Sequence, residues 1–198
     1  RFPEVNVDRI DTDVDKTGAR KSGRILTECS AKETGILVGT QMVARTAQMG
    51  DVGLVGVVNA DNMLSYPDFR AGERAFQLLM QLKALPGEGG ELVIQSSQRL
   101  HPVLIAVNQS DPAGFYTHEL QERQKLLYPP YVRMIRLTLR HTDRKLVNET
   151  ARDLYDRLQK RFGKRISTPF EPQVDRIQGQ HLLQLLLRIE RERSASRA

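Results

Sequence analysis

The sequence predicts an α/β layer with a parallel sheet, followed by a small α+β domain. Three observations lead there. Short apolar runs alternate with helical stretches through roughly the first 110 residues, the rhythm of strand–helix units that place their strands in parallel. The pair Pro129-Pro130 then interrupts the chain. Beyond it come one strictly alternating strand, one long amphipathic helix and further alternating strands. With 198 residues, 39% hydrophobic and 27% charged, the chain is long enough for two small cores and too apolar for disorder.

Taken in order, Val5-Asn6-Val7 reads as a strand and residues from Gly18 to Cys29 as a helix. Gly35–Gly39 is a compact apolar run bounded by glycine, as a buried parallel strand requires, and Val52–Val58 is another. Phe69–Gln81 places Phe69, Phe76, Leu79 and Met80 as the apolar positions of a helix covering the sheet, with Asp68 as its cap. Glu91–Gln95 is a third strand of the run. Asp111 with Pro112 opens a connector helix that can run to Leu127, where Tyr128-Pro129-Pro130 ends it. The expected organisation is a first domain over 1–110, a linker helix and Pro-Pro turn over 111–130, and a second domain over 131–198.

In the second domain, Ile135, Leu137 and Leu139 alternate with Arg136, Thr138 and Arg140, giving a strand with one apolar and one basic face. Asp143–Phe162 puts Val147, Ala151, Leu154, Leu158 and Phe162 on one helical stripe, and Gly163 stands at the C-cap. Val174–Gln178 reads as a short strand. His181–Ile189 alternates four apolar residues against Gln184 and Arg188. The order β-α-β-β implies one helix packed on a sheet.

Composition excludes several classes. No run reaches the roughly 20 apolar residues that span a bilayer, so no membrane partner is expected. Arg1-Phe2-Pro3-Glu4 lacks the character of a signal peptide and reads as the interior of a longer protein. The single Cys29 rules out an internal disulfide framework or a cysteine-based zinc site, and this usage suits a reducing cytoplasm. His101, His118, His141 and His181 have no ligand-like spacing, so no metal is assigned. Charge is divided unevenly. Residues 1–130 carry 14 Lys+Arg against 16 Asp+Glu, and residues 131–198 carry 16 against 8. A near-neutral block followed by one of +8 points to a polyanionic partner for the second part, or to a solvated helix face.

Three clusters carry possible chemistry in the first domain. Gly39-Thr40-Gln41 follows a strand, where α/β sheets gather ligands; it suits a phosphate contact or a plain turn. Asn59-Ala60-Asp61 ends the next strand. Asp68, Arg70 and Arg74 lie around a helix start, with the arginines four apart, and read as surface pairing or as a scaffold for a nucleotide or nucleic-acid site. In the second domain, Arg133, Arg136 and Arg140 lie along one strand, and Lys160, Arg161, Lys164 and Arg165 gather at a helix end. The latter complement the helix dipole or contact phosphates. Tyr128, Tyr131 and Phe170 suit either a core or base stacking. No catalytic residue is assigned.

The strings Gly35–Met42, Leu54–Asp61 and Pro67–Leu79 closely resemble the second motor lobe of the PriA family of primosomal replication-restart helicases. Phe2-Pro3-Glu4 and Asp11-Thr12-Asp13 match the opening of that lobe, and Leu120–Arg123 with Tyr128–Tyr131 match the passage into the family's C-terminal domain. The resemblance runs from about Phe2 to Glu190. It implies a RecA-like helicase lobe followed by an S10-like domain, within an ATP-driven 3′ to 5′ DNA helicase acting in primosome assembly and restart at stalled forks. It implies ATP and magnesium as cofactors of the full-length protein, and zinc only in a cysteine-rich insertion absent here. Forked or single-stranded DNA, single-strand-binding protein and other primosome proteins are the implied partners. Gly39, Thr40, Gln41, Asp61, Asp68, Arg70 and Arg74 would belong to the motor cleft, and Arg133, Arg136, Lys160, Arg161, Lys164 and Arg165 would touch DNA.

The sequence departs from that family at two places. Arg45–Gly50 and Leu82–Gly87 stand where the family carries a Lys-Gly motif and phosphate-reaching arginines, in stretches expected to be mobile loops. Either the motor is degenerate here or the flanks are joined across missing residues. The phosphate-binding Gly-x-x-x-x-Gly-Lys-[Ser/Thr] loop is absent too, so this chain alone is expected to hydrolyse no ATP. The alternative to a helicase part is a non-catalytic module binding DNA or single-strand-binding protein.

Overall fold

A computed structural model describes residues 5–10, 35–41 and 52–190. The chain forms two compact units, Arg1–Thr117 and His118–Ala198. The expected helix over Gly18–Cys29, the stretch Arg45–Gly50 and the polar tail from Arg191 lie outside the described residues.

The first unit contains two parallel strand pairs. β1 (Asn6–Ile10) pairs with β2 (Gly35–Gly39), and β3 (Val52–Val57) pairs with β4 (Pro86–Ile94). After β3 come a single helical turn, α1 (Asp61–Leu64), and then α2 (Ala71–Lys83). α3 (Pro102–Gln109) and α4 (Pro112–Lys125) follow β4. The core of this unit is Leu64, Ala75, Phe76, Leu79, Val103, Ala106, Val107 and Phe115, against which Val57, Leu92 and Ile94 of the sheet pack. The Phe76 and Phe115 rings stack 4.1 Å apart and 11° from parallel, and Tyr116 meets Phe76 edge-on at 5.9 Å.

Five local expectations are corrected. α2 begins at Ala71, with Arg70 as its N-cap and no side-chain cap. Asp68 does not cap it, since it lies two residues before the N-cap, where its Oδ1 accepts the Arg70 N–H at 3.0 Å and closes a turn before the helix. At the other end, Lys83 extends the helix beyond Gln81. Its Nζ donates to the carbonyls of Val107 (2.6 Å) and Asn108 (3.1 Å) and to Ser110 Oγ (2.8 Å), closing the C-terminus of α3. Leu82–Gly87 is therefore no loose loop: helix gives way to strand within three residues. β4 starts five residues earlier than expected because Gly89 takes φ +78° and Gly90 tucks against Val52, with a register irregularity between Val52 and Leu54.

α3 was not expected at all. Its marks are His101, whose side chain accepts the Val103 N–H, and Pro102 at the first helical position, followed by buried Val103, Ala106 and Val107. α4 opens as expected, with Asp111 Oδ1 accepting from Gly114 N–H at 2.9 Å. It closes before the prolines act. Leu127 adopts φ +54°, and the Tyr128 N–H returns to the Arg123 carbonyl at 2.8 Å, a Schellman closure. The Pro129-Pro130 peptide is cis.

The second unit has the expected order. β5 (Val132–His141) is followed by α5 (Arg144–Phe162), a 3-10 turn (Gly163–Arg165), β6 (Arg176–Ile177) and β7 (Gln180–Glu190). The sheet order is β5-β7-β6, all antiparallel, with β5 and β7 paired over ten residues. The expected strand over Val174–Gln178 shrinks to two residues, because Gln178 (φ +50°) and Gly179 (φ +79°) form a tight primed turn directly into β7. Leu183, Leu185 and Leu187 face α5, where Val147, Ala151, Leu154, Leu158 and Phe162 meet them with Leu137, Leu139 and Ile166. Asp143 Oδ1 caps α5, accepting from Lys145 N–H at 2.8 Å.

Leu79→Ala and Leu185→Ala each empty a fully buried site, and each should lower stability in denaturant unfolding by about 2–5 kcal/mol. Gly90→Ala brings a Cβ within 2.7 Å of the Val52 carbonyl oxygen and 2.8 Å of Pro86 Cβ. It should destabilise the first unit, whereas Gly53→Ala, with open space around it, should not.

Candidate nucleic-acid interface

Two regions gather the residues singled out by sequence. In the first unit, Asp61 opens α1 immediately after β3 and turns toward the segment following β4. Its Oδ1 accepts from the Ser96 hydroxyl, and its Oδ2 accepts from the Ser97 hydroxyl and the Ser97 N–H. The Ser96 hydroxyl, then the Ser97 hydroxyl and N–H, hold the Asp61 carboxyl below the usual carboxylate range. The same junction is closed by Ala60 N–H to the Gln95 carbonyl at 2.9 Å, with Ala60 fully buried. Asp61 thus ties together the C-terminal ends of two adjacent parallel strands, the place where such sheets receive ligands. Ser96 and Ser97 escaped the sequence reading, since two serines after a strand carry no distinguishing signal until the sheet sets them beside Asp61.

Asp68, Arg70 and Arg74 stand close together at the start of α2. Arg74 makes an ion pair with Asp68 at 3.0 Å, and the Arg70 guanidinium lies 5.2 Å over the Phe69 ring. Arg74 is more than half exposed, so this pair stabilises little. Gly39, Thr40 and Gln41 lie exposed at the C-terminal end of β2. Among the described residues, no hydrogen bond or ion pair joins them to Asp61 or to the Asp68–Arg74 group.

In the second unit the basic residues fall into three positions. Lys160 and Arg161 end α5, and Lys164 and Arg165 continue into the 3-10 turn, all exposed. Arg165 is drawn to Glu190 at 3.0 Å, and Arg161 lies 5.7 Å over the Phe162 ring. Arg133 pairs in register with Ile189 on the helix side of the sheet. Arg136 pairs with Leu186 on the other side, as does Arg140 with Leu182. Arg133 and Arg136 therefore project from opposite faces, as three-residue spacing on a strand dictates. Arg188 shares the Arg136 face, and its guanidinium lies 5.6 Å from the centre of the Tyr128 ring. Among the described residues, no group of three or more His, Cys, Asp or Glu is placed to hold a metal, and no helix is long and apolar enough to cross a membrane.

Known proteins with similar sequences fit this arrangement. Residues 124–198 match the family described as Primosomal protein N C-terminal domain. The chain is 34% identical over 195 residues to the Replication restart protein PriA of Treponema pallidum, covering 94% of the chain and 29% of that protein. It is 37% identical over 153 residues to the protein of the same name in Synechocystis, covering 75% and 18%. With that of Bacillus subtilis the identity is 31% over 202 residues, covering 98% and 25%. The chain thus spans less than a third of the length of these relatives.

The lowered pKa of Asp61 gives its contribution a direction in pH. Its hydrogen bonds favour the ionised form, so their stabilisation is present above the ordinary value of 3.8 and is lost as pH falls through the lower folded value. Asp61→Asn should leave stability less dependent on pH below about 4 in acid unfolding followed by circular dichroism. An unchanged acid profile would mean that the Ser96–Ser97 contacts do not hold in solution.

Proposed function

Because the chain belongs to the PriA family of replication restart proteins, we propose that it serves replication restart as the C-terminal part of an ATP-dependent 3′ to 5′ DNA helicase. In this reading the first unit is the second RecA-like motor lobe. It contributes Gly39, Thr40, Gln41, Asp61, Asp68, Arg70 and Arg74 to the cleft that ATP and magnesium occupy in the full-length protein. The second unit is an S10-like domain that contacts forked or single-stranded DNA through Arg133, Arg136, Lys160, Arg161, Lys164 and Arg165. Single-strand-binding protein and other primosome proteins are its protein partners. The observation that carries the reading is the coincidence of the +8 block with the residues matching the primosomal C-terminal domain.

The DNA contact is electrostatic in kind. Exposed lysines and arginines neutralise phosphates and release counterions, which positions the protein without reading sequence. Lys160, Arg161 and Lys164 are suited to this, being exposed and without an ion pair among the described residues. Arg165 is partly committed to Glu190.

A second reading, a non-catalytic module binding DNA or single-strand-binding protein, is favoured by one feature. Leu82–Gly87 is built into a helix end and a strand start, and Lys83 is spent on the α3 carbonyls, so this stretch offers no arginine toward a phosphate. The two readings separate on whether the N-terminal motor half, added in trans, yields DNA-stimulated ATP hydrolysis.

The chain alone should show no DNA-stimulated ATPase. It should bind a labelled fork with affinity that falls steeply with salt, at a log–log slope of about 0.7–0.9 per phosphate neutralised. Neutralising Lys160, Arg161 and Lys164 together should flatten that slope. No binding at low salt would leave the second unit without a DNA role.

A further inference from the structure

The helix layer covers one side of the second unit's sheet; the other side is exposed at Arg136, Thr138 and Arg140 of β5 and is buried at Val132, where β5 begins. α5 and Ile166 take the side of Leu137, Leu139, Leu183, Leu185 and Leu187. On the other side the register sets Arg136 beside Leu186, Thr138 beside Gln184 and Arg140 beside Leu182. A bridge on the far edge of β7 brings Phe170 next to Gln184, its N–H donating to the Gln184 carbonyl at 2.9 Å. Phe170 remains 37% exposed on this side.

The charges on this side are unbalanced. Arg136 and Arg140 are exposed and carry no ion pair among the described residues, while Arg144, Arg157 and Arg165 are each matched by a carboxylate. The nearby carboxylates Glu171 and Glu190 are engaged by Arg144 and Arg165, which leaves Asp175, whose carbonyl accepts the Leu182 N–H, as the acid bordering the face among the described residues. Arg188 stands on the same face, in register with Met134. Its Nε is buried and has no hydrogen-bond partner among the described residues, so only the outer part of the guanidinium is placed to meet a ligand. Tyr128 holds the guanidinium from one side.

We propose that this open sheet face binds a single strand of nucleic acid, with Arg136, Arg140 and Arg188 on the phosphates or base carbonyls and Phe170 stacked on a base. A single strand fits better than a duplex, because only unpaired bases offer their faces to an aromatic ring beside a row of donors. The inference rests on the reading that the second unit contacts DNA. It assigns that contact to the sheet, on the side opposite the helix layer that bears Lys160, Arg161 and Lys164.

The test is anisotropy of a labelled oligothymidylate titrated with the full chain over a salt series, beside a blunt duplex of equal length. Arg136→Gln with Arg140→Gln should lower the salt slope by about 1.4, two phosphates at about 0.7 each for a single strand. Phe170→Ala should weaken binding roughly 5- to 100-fold. Phe170→Trp gives the chain its only tryptophan, whose fluorescence the bound strand should quench. Oligouridylate bound as tightly supports the same face, since phosphates and stacking do not distinguish the two. Preference for the duplex overturns the proposal. So does binding that survives the sheet-face variants, keeps Phe170→Trp unquenched and falls only when Lys160, Arg161 and Lys164 are neutralised. Binding of neither single strand nor fork overturns this proposal together with the reading beneath it. Unfolding curves matching the parent chain show that the variants act on binding, because the substituted side chains lie outside the core.

Discussion

A strand has two faces, and a single helix can cover only one of them. That constraint organises the second unit. Leu183, Leu185 and Leu187 turn toward α5 because the period of a strand places all three on one side. Burying each stabilises by about 1.5–3 kcal/mol, so slipping the register by one residue would forfeit the whole set. Once these leucines choose the helix, Arg136, Arg140 and Arg188 have no alternative to the open side. The basic face is thus a consequence of the hydrophobic one, fixed by the same ten-residue pairing of β5 with β7.

The first unit solves a related problem differently. The parallel β3–β4 pair needs a crossover, which α2 provides, and α2 and α3 supply the apolar cover. Phe76 of α2 stacks on Phe115 of α4 at the centre, and Lys83 at the end of α2 binds the last carbonyls of α3, so α2 is joined to α4 by an apolar contact and to α3 by a charged cap. Asp61 joins the ends of β3 and β4 through Ser96 and Ser97. The polar side chains that hold this unit together therefore act at the ends of elements, where backbone groups lack partners within the helix or sheet.

Long periodic elements were legible in the sequence, and short ones governed by backbone torsions were not. α5 shows its stripe over five turns and its caps at Asp143 and Gly163, so its limits are readable directly. α3 has only eight residues, too few for an apolar period to stand out, although His101-Pro102 marks its start. The glycines of Pro86–Gly90 argue against a strand by composition, yet Gly89 and Gly90 are what let the chain follow β3 there. Asp68 has the chemistry of a cap but sits two residues short of the position, because the intervening turn uses its carboxylate. At the candidate sites, residue types pointed to Asp61, Arg136 and the helix-end cluster. Nothing in the linear order paired Asp61 with Ser96 or Arg188 with Tyr128.

By itself, the sequence determined the succession of elements, the amphipathic character of β5, α5 and β7, and the concentration of positive charge after residue 130. These follow from local periodicity and composition, which are independent of what lies across the fold. Only the tertiary structure decided which arginines are neutralised and which stand free, that Arg133 and Arg136 face opposite ways, and that Phe170 joins the face of Arg136. Those outcomes depend on partners 14 to 60 residues away in the chain, brought together by strand pairing and by one helix covering one side of a sheet.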